Sequence, residues 1–289
     1  SGMALNEQDP LTSGMGYAFV MNEGKGNKIY NFGDVGVGAV LSSGLSWKRN
    51  KAGKELRYIG GTSTRVLSCG NTNFIDAGKP CSYFFQFNAA TYGTSSAARL
   101  CVRGGSFDLG FASAAGAVRM TVLASTTAET YTVDGLVALN KEQDICATFN
   151  GNVRQIDIIK IYGQGFQAVL DATAIGGGTI TSVAGLTQKI GNNNTSTRSF
   201  DGAIRVAYIW NRVISAGEYQ RLHRDPYAVF MPAKKRSYIF PVSVAGAESK
   251  TATAQTARIS VITNSATAST QKSATVTATS VVVRINTNT

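Results

Sequence analysis

The sequence is short of several things that common chemistries require. It has one histidine, His223, and four cysteines, at positions 69, 81, 101 and 146. None of the cysteines forms a Cys-x-x-Cys pair, which excludes a zinc site built from cysteine and histidine. Their neighbours are apolar (Cys81-Ser-Tyr-Phe-Phe, Leu100-Cys-Val, Ile145-Cys-Ala), the setting of small buried strand residues. Charged residues make up only 16% of the chain, and no apolar run approaches the ~18–20 residues of a membrane-spanning helix. Proline is scarce at 5 residues, whereas glycine reaches 31 of 289. An apolar fraction of 43% excludes wholesale disorder. The opening residues lack a basic stretch followed by an apolar one, so no secretory signal is expected.

Basic residues outnumber acidic ones by 28 to 17, a net charge of +11. The surplus is dispersed. Its densest cluster is Lys234-Lys235-Arg236, and residues 251–289 contain no acidic side chain. Residues 15–22 partly match an RNA-recognition motif, yet the basic first position and the aromatic last one are missing. The alternation of strands and two helices such a domain needs is missing too. Nucleic acid is therefore the least favoured anionic partner.

What the chain does have is alternation. Short apolar or period-two runs, at Tyr17–Met21, Ser82–Phe87, Arg99–Val102, Val118–Leu123, Ile145–Phe149, Ile156–Tyr162, Ala168–Leu170 and Ile204–Trp210, are separated by Gly, Asn and Ser clusters. This spacing predicts an all-β antiparallel sandwich. One helix is expected near 215–224. Ser215-Ala-Gly-Glu218 is a capping box, Tyr219 and Leu222 follow at helical spacing, and Asp225-Pro226 stops it. The expected division is a sandwich domain over 1–232, a basic connector over 233–248, and a Ser/Thr/Ala-rich β extension over 249–289. That extension has too few large apolar side chains to fold alone, so it is expected to pair with its own domain or with another chain.

Four pieces in order carry a resemblance. The first is Leu11–Gly38, with Asn22-Glu-Gly-Lys-Gly26 and the Gly-rich acidic turn around Asp34. The second and third are the strand pair Asp144–Gly151 and Ile159–Gly165. The fourth runs from Ile190-Gly191 through Phe200-Asp201-Gly202-Ala203-Ile204 and Trp210-Asn211-Arg212 to Asp225-Pro226. Together they resemble laminin G-like, concanavalin A-like lectin/glucanase jelly rolls, of the kind found in bacteriophage structural and metagenomic proteins. The resemblance implies a concanavalin A-like jelly roll and a carbohydrate-binding or adhesion module on a virion, made in the host cytoplasm. An assembly protein that oligomerises through 249–289 is the alternative, and a polysaccharide-degrading enzyme a third.

The glucanase pattern Glu-x-Asp-x-x-Glu is missing. The close, even-spaced carboxylates at the start of a strand-like run are Glu142 and Asp144, which read as a solvated rim. His223 reads as a partner of the helix C-terminus. No catalytic residue and no required cofactor is expected. In the wider family calcium is held by the early acidic turn and the closing strand, here Asn31, Asp34 and Asp201. Asn31 stands where Asp is usual, and Arg205 where the closing strand often has Asp. Sugar binding needs an aromatic platform with planar polar side chains, for which Trp47, Asn71, Asn73, Tyr92, Asn192 and Asn194 are candidates. Arg103 and Lys189 could face an anionic sugar. The expected partners are a surface glycan and other virion subunits, with no membrane insertion.

Overall fold

The computed structural model describes residues 4–231, apart from 24, 37, 43–44, 51–52, 59–65, 72–73, 77–78, 94–96, 105–106, 124–126, 133, 152–158, 175–185 and 193–197. These residues belong to one compact unit, 1–232. The expected connector and β extension lie outside the described residues.

In chain order the strands are β1 (Met15–Val20), β2 (Lys28–Ile29), β3 (Ala39–Leu41), β4 (Ser46–Asn50), β5 (Gly53–Tyr58), β6 (Leu67–Asn71), β7 (Cys81–Thr91), β8 (Arg99–Arg103), β9 (Phe107–Phe111), β10 (Val118–Leu123), β11 (Thr127–Thr132), β12 (Glu142–Phe149), β13 (Ile159–Gly163), β14 (Phe166–Gln167), β15 (Leu170–Ala174), β16 (Thr187–Ile190) and β17 (Asp201–Trp210). They form two antiparallel sheets. One runs β14-β13-β12-β7-β17-β5-β4 with β1 also paired to β17, and the other runs β15-β11-β10-β9-β8-β16-β6-β3-β2. The predicted sandwich is present, with one α-helix among the described residues, α1 (Ala216–Arg224).

Period-two patterning builds two cores on the first sheet. On β7, Tyr83, Phe85 and Phe87 point between the sheets, while Phe84 faces the opposite way. On β17, Ile204, Ala207 and Ile209 join the inter-sheet core, whereas Val206, Tyr208 and Trp210 join the outer one. The change of parity comes from a bulge at Arg205, between the pairs Ile204–Phe87 and Val206–Gln86. β17 pairs with β5 before the bulge and with β1 after it.

The outer core needs a lid, because a sheet face carrying Tyr and Trp side chains is costly to leave in water. Helix α1 supplies it by burying Tyr219 and Leu222. The capping box forms as the sequence predicts, with Ser215 Oγ accepting from Glu218 N at 3.2 Å and Glu218 accepting from Ser215 N at 2.7 Å. Arg212 donates to both Glu218 oxygens and to the Ser13 carbonyl. The first and last described segments then close the edge: Asn6 N donates to Val229 O and Met231 N to Ala4 O, both at 2.9 Å. Trp210 Nε1 donates to Leu11 O at 2.8 Å, which fixes this fully buried indole as a packing residue.

Candidate functional site: a polar cleft beside the closing helix

Beyond the area covered by α1, the outer face of the first sheet turns polar. Ile145, Ala147 and Phe149 of β12 face inward, so Glu142, Asp144 and Cys146 face outward. Asp144 pairs across the ladder with Gln86 of β7. Tyr219 and His223 are four residues apart on α1, one above the other on the same face, and both reach Asp144. Tyr219 Oη donates to Asp144 Oδ1 at 2.8 Å and accepts from Gly165 N at 3.0 Å. Burial and the neighbouring Asp144 charge push the phenol well above its usual range, which keeps it a donor. His223 Nδ1 meets Asp144 Oδ2 at 2.7 Å, and Glu142 forms an ion pair with Arg205.

These residues edge a cleft of about 430 Å³, lined by Gln86, Ala138, Lys141, Glu142, Gln143, Asp144, Gln164 and His223. That volume falls in the usual range for small-ligand sites. Its walls are tied down. Gln143 accepts from Ala138 N at 3.0 Å and donates to Ala138 O at 2.6 Å, and Gln164 donates to Leu136 O at 2.9 Å. Gly165 adopts φ +84°, and a Cβ there would stand 3.1 Å from the imidazole. Only glycine lets the ring lie against this turn. Among the polar side chains, Gln86 Oε1 is buried and has no hydrogen-bond partner among the described residues.

This arrangement corrects two expectations. Asp144 is no solvated rim residue: it is 6% exposed and accepts from two side chains. His223 does stand in the last turn of its helix, but its bond is to a strand carboxylate. Glu142 alone fits the rim, with its side chain 37% exposed.

The sugar-site candidates do not gather on one surface. Trp47 lies on β4 of the first sheet, packs against the inter-sheet core and donates to Gly26 O at 3.1 Å. Tyr92 also packs there and donates to Val137 O at 3.1 Å. Lys189 is half-buried on β16 of the other sheet, and Asn71 of β6 pairs with Thr187. Asn73 and Asn194 lie outside the described residues. Arg103 and Asn192 are fully buried, which takes them from the expected rim into the interior. Asn192 Oδ1 accepts from Arg198 N at 3.2 Å.

The calcium set fails on geometry. Asn31 Oδ1 accepts from Ala18 N at 2.8 Å and Gly33 N at 3.0 Å, and Nδ2 donates to Gly16 O at 2.9 Å, so the amide is a clamp on β1. Asp34 N donates to Met15 O, and Met15 pairs with Trp210. Asp201 sits at the far end of that 10-residue strand, about 30 Å away at ~3.3 Å per residue. Hard cations need several oxygens at one point. Among the described residues no cluster of His, Cys, Asp and Glu could hold a metal ion.

A family model described as the concanavalin A-like lectin/glucanases superfamily matches residues 61–219, more than half of the chain. The chain belongs to this superfamily. Solved structures similar to this concanavalin A-like domain include the binding domain of Paraclostridial Mosquitocidal Protein 1 (11% identity, TM-score 0.57, 74% of this chain and 52% of that one). The binding domain of botulinum neurotoxin serotype G is also similar (12%, 0.53, 72% and 50%). So is a structure of botulinum neurotoxin type C, whose cell entry depends on interaction with two ganglioside molecules (10%, 0.50, 74% and 51%). The chain spans about half the length of these toxin structures, and at such identities the likeness is one of fold. No curated protein sequence matches it.

Proposed function

We propose that this concanavalin A-like domain is a non-catalytic carbohydrate-binding or adhesion module, with its ligand in the cleft beside α1. The observation that carries the reading is the state of the two carboxylates. Glycoside hydrolysis needs one carboxyl as acid and a second as base or nucleophile. Here Glu142 is paired with Arg205, and Asp144 accepts from Tyr219 and His223, so both serve as acceptors. The described lining residues include no Ser, Thr or Cys that His223 could activate. Amide, carboxylate and imidazole groups fixed at the edge of a cleft suit saccharide hydroxyls. The ganglioside dependence of the type C toxin supports a glycan as ligand only in the coarse sense and has no bearing on its charge. A virion-borne setting, as decoration or host-surface recognition, is part of the proposal and comes from the resemblance in chain order.

A glycan array probed with the full chain at low salt tests the reading. Binding of at least one glycan family, with no product released on prolonged incubation, is expected. An array without any bound glycan removes the binding reading, and release of shortened oligosaccharides replaces it with an enzymatic one.

A further inference from the structure

We infer that the cleft reads a neutral, hydroxyl-donating edge of a saccharide and discriminates against acidic sugars. The inference rests on the carbohydrate-binding reading above and narrows its ligand class. Its starting point is the hydrogen-bonding sense of the groups left open. Gln86 lines the cleft, and its Oε1, buried at the outer face of β7, has no hydrogen-bond partner among the described residues, so a ligand donor that reaches it would satisfy it. The His223 imidazole stands 2.7 Å from a carboxylate through Nδ1, which places the proton on that nitrogen. In the neutral ring Nε2 is then a second acceptor. Glu142 gives Oε1 to Arg205 and has its side chain partly in solvent, which adds a third.

Charge points the same way. Two carboxylates, Glu142 and Asp144, line the cleft, and the Arg205 guanidinium is engaged with one of them. Lys141 is the one ammonium among the described lining residues, and it is exposed, where solvent screens it. A ligand carboxylate or sulfate would meet like charge near Asp144 and Glu142 while bringing no donor to Gln86. A sugar edge with adjacent hydroxyls brings donors and no charge. Rejection of an acidic ligand thus follows from unpaired acceptors and like charges together. The dispersed +11 of the whole chain plays no part in it.

Matched pairs of oligosaccharides test this with the full chain: neutral glycans and the same glycans capped with sialic or uronic acid. Neutral glycans are expected to bind with an affinity that hardly changes between low and high salt, and capped ones at least about ten-fold more weakly. Gln86→Leu should weaken neutral binding about ten-fold with the melting temperature retained, and Lys141→Ala should change it little. Because His223 is the only histidine, its ring 15N signals are assigned without ambiguity. Saturating neutral glycan should shift Nε2 and leave Nδ1 in place, a readout that needs no variant. Preference for capped glycans with steep salt dependence overturns the neutral reading and leaves carbohydrate binding standing. Neutral binding indifferent to Gln86→Leu with a silent Nε2 overturns this cleft as the site. Binding of neither class overturns both proposals.

Discussion

His223 and Asp144 meet at 2.7 Å although they are 79 residues apart, one on the closing helix and the other on a strand near the middle of the first sheet. Tyr219, one turn earlier on the helix, binds the other oxygen of the same carboxylate. The carboxylate thereby ties the lid of the outer core to the sheet beneath it. The cleft opens where this lid ends.

Tyr219→Phe should therefore cost more than its small change in area suggests. It removes one donor from Asp144 and the acceptor used by Gly165 N, so a loss of about 1–3 kcal/mol is expected in urea unfolding. The His223 Nδ1 resonance should move as well. A variant with unchanged stability and an unmoved imidazole would show that the contact carries no weight.

Asn31→Asp separates the clamp from the calcium position. The variant keeps the oxygen that accepts from Ala18 and Gly33 but loses the N–H₂ that donates to Gly16 O. Two oxygens would then approach the Gly16 carbonyl, and a destabilisation of about 1–2 kcal/mol is expected, with no recovery on adding calcium. A rise in melting temperature with calcium in this variant would restore the metal reading.

Acid should weaken the lid first. The hydrogen bond from Arg221, aided by the Leu11 amide against burial, holds the Asp9 carboxyl below its usual range. At Glu218 burial raises the carboxyl, and the bonds from Arg212 and the Ser215 backbone outweigh it and bring it down. Groups with depressed folded values stabilise the fold fully above the unfolded values, near pH ~4, and lose that contribution as pH falls through the folded values. Melting temperature should be flat from neutral pH to about pH 5 and drop below ~4, with a shallower drop in Asp9→Asn and Glu218→Gln. Equal acid sensitivity in those variants would assign the loss to other groups.

The four cysteines are free and buried. Burial pushes the Cys81 thiol up to about 12 and raises Cys69, Cys101 and Cys146 as well. Thiolates are the reactive form, so a thiol reagent at mildly alkaline pH should leave the native chain unmodified and label all four after denaturation. Rapid labelling of a single cysteine in the native chain would contradict this burial.

The sheet cores were legible because alternation is local. The runs in β7 and β17 announce two-sided burial by themselves, and Ser215 with Glu218 announces the helix start within four residues. The cleft was not legible in the same way. Glu142 and Asp144 were readable as one face, but nothing near them in the sequence says that Tyr219 and His223 fold onto that face. Gln86 carries no signal beyond being polar in an apolar strand. The bulge at Arg205 shifts parity by one residue, an event that alternation cannot place. The calcium set failed for a related reason: chain order brings Asn31 and Asp34 beside β1, whose pairing places them towards the Trp210 end of β17, while strand length separates them from Asp201. Arg103 and Asn192 misled because their residue types favour surfaces, whereas the interior of this sandwich holds both.

The bond between Ala4 and Met231 has an engineering consequence. Residues near the two ends of the domain lie across a single 2.9 Å hydrogen bond, so a linker of a few residues would join them without moving a strand. The backbone can then be cut at an exposed turn such as Ala114–Ala115. The result would be a circular permutant with the same sheets and a new starting point.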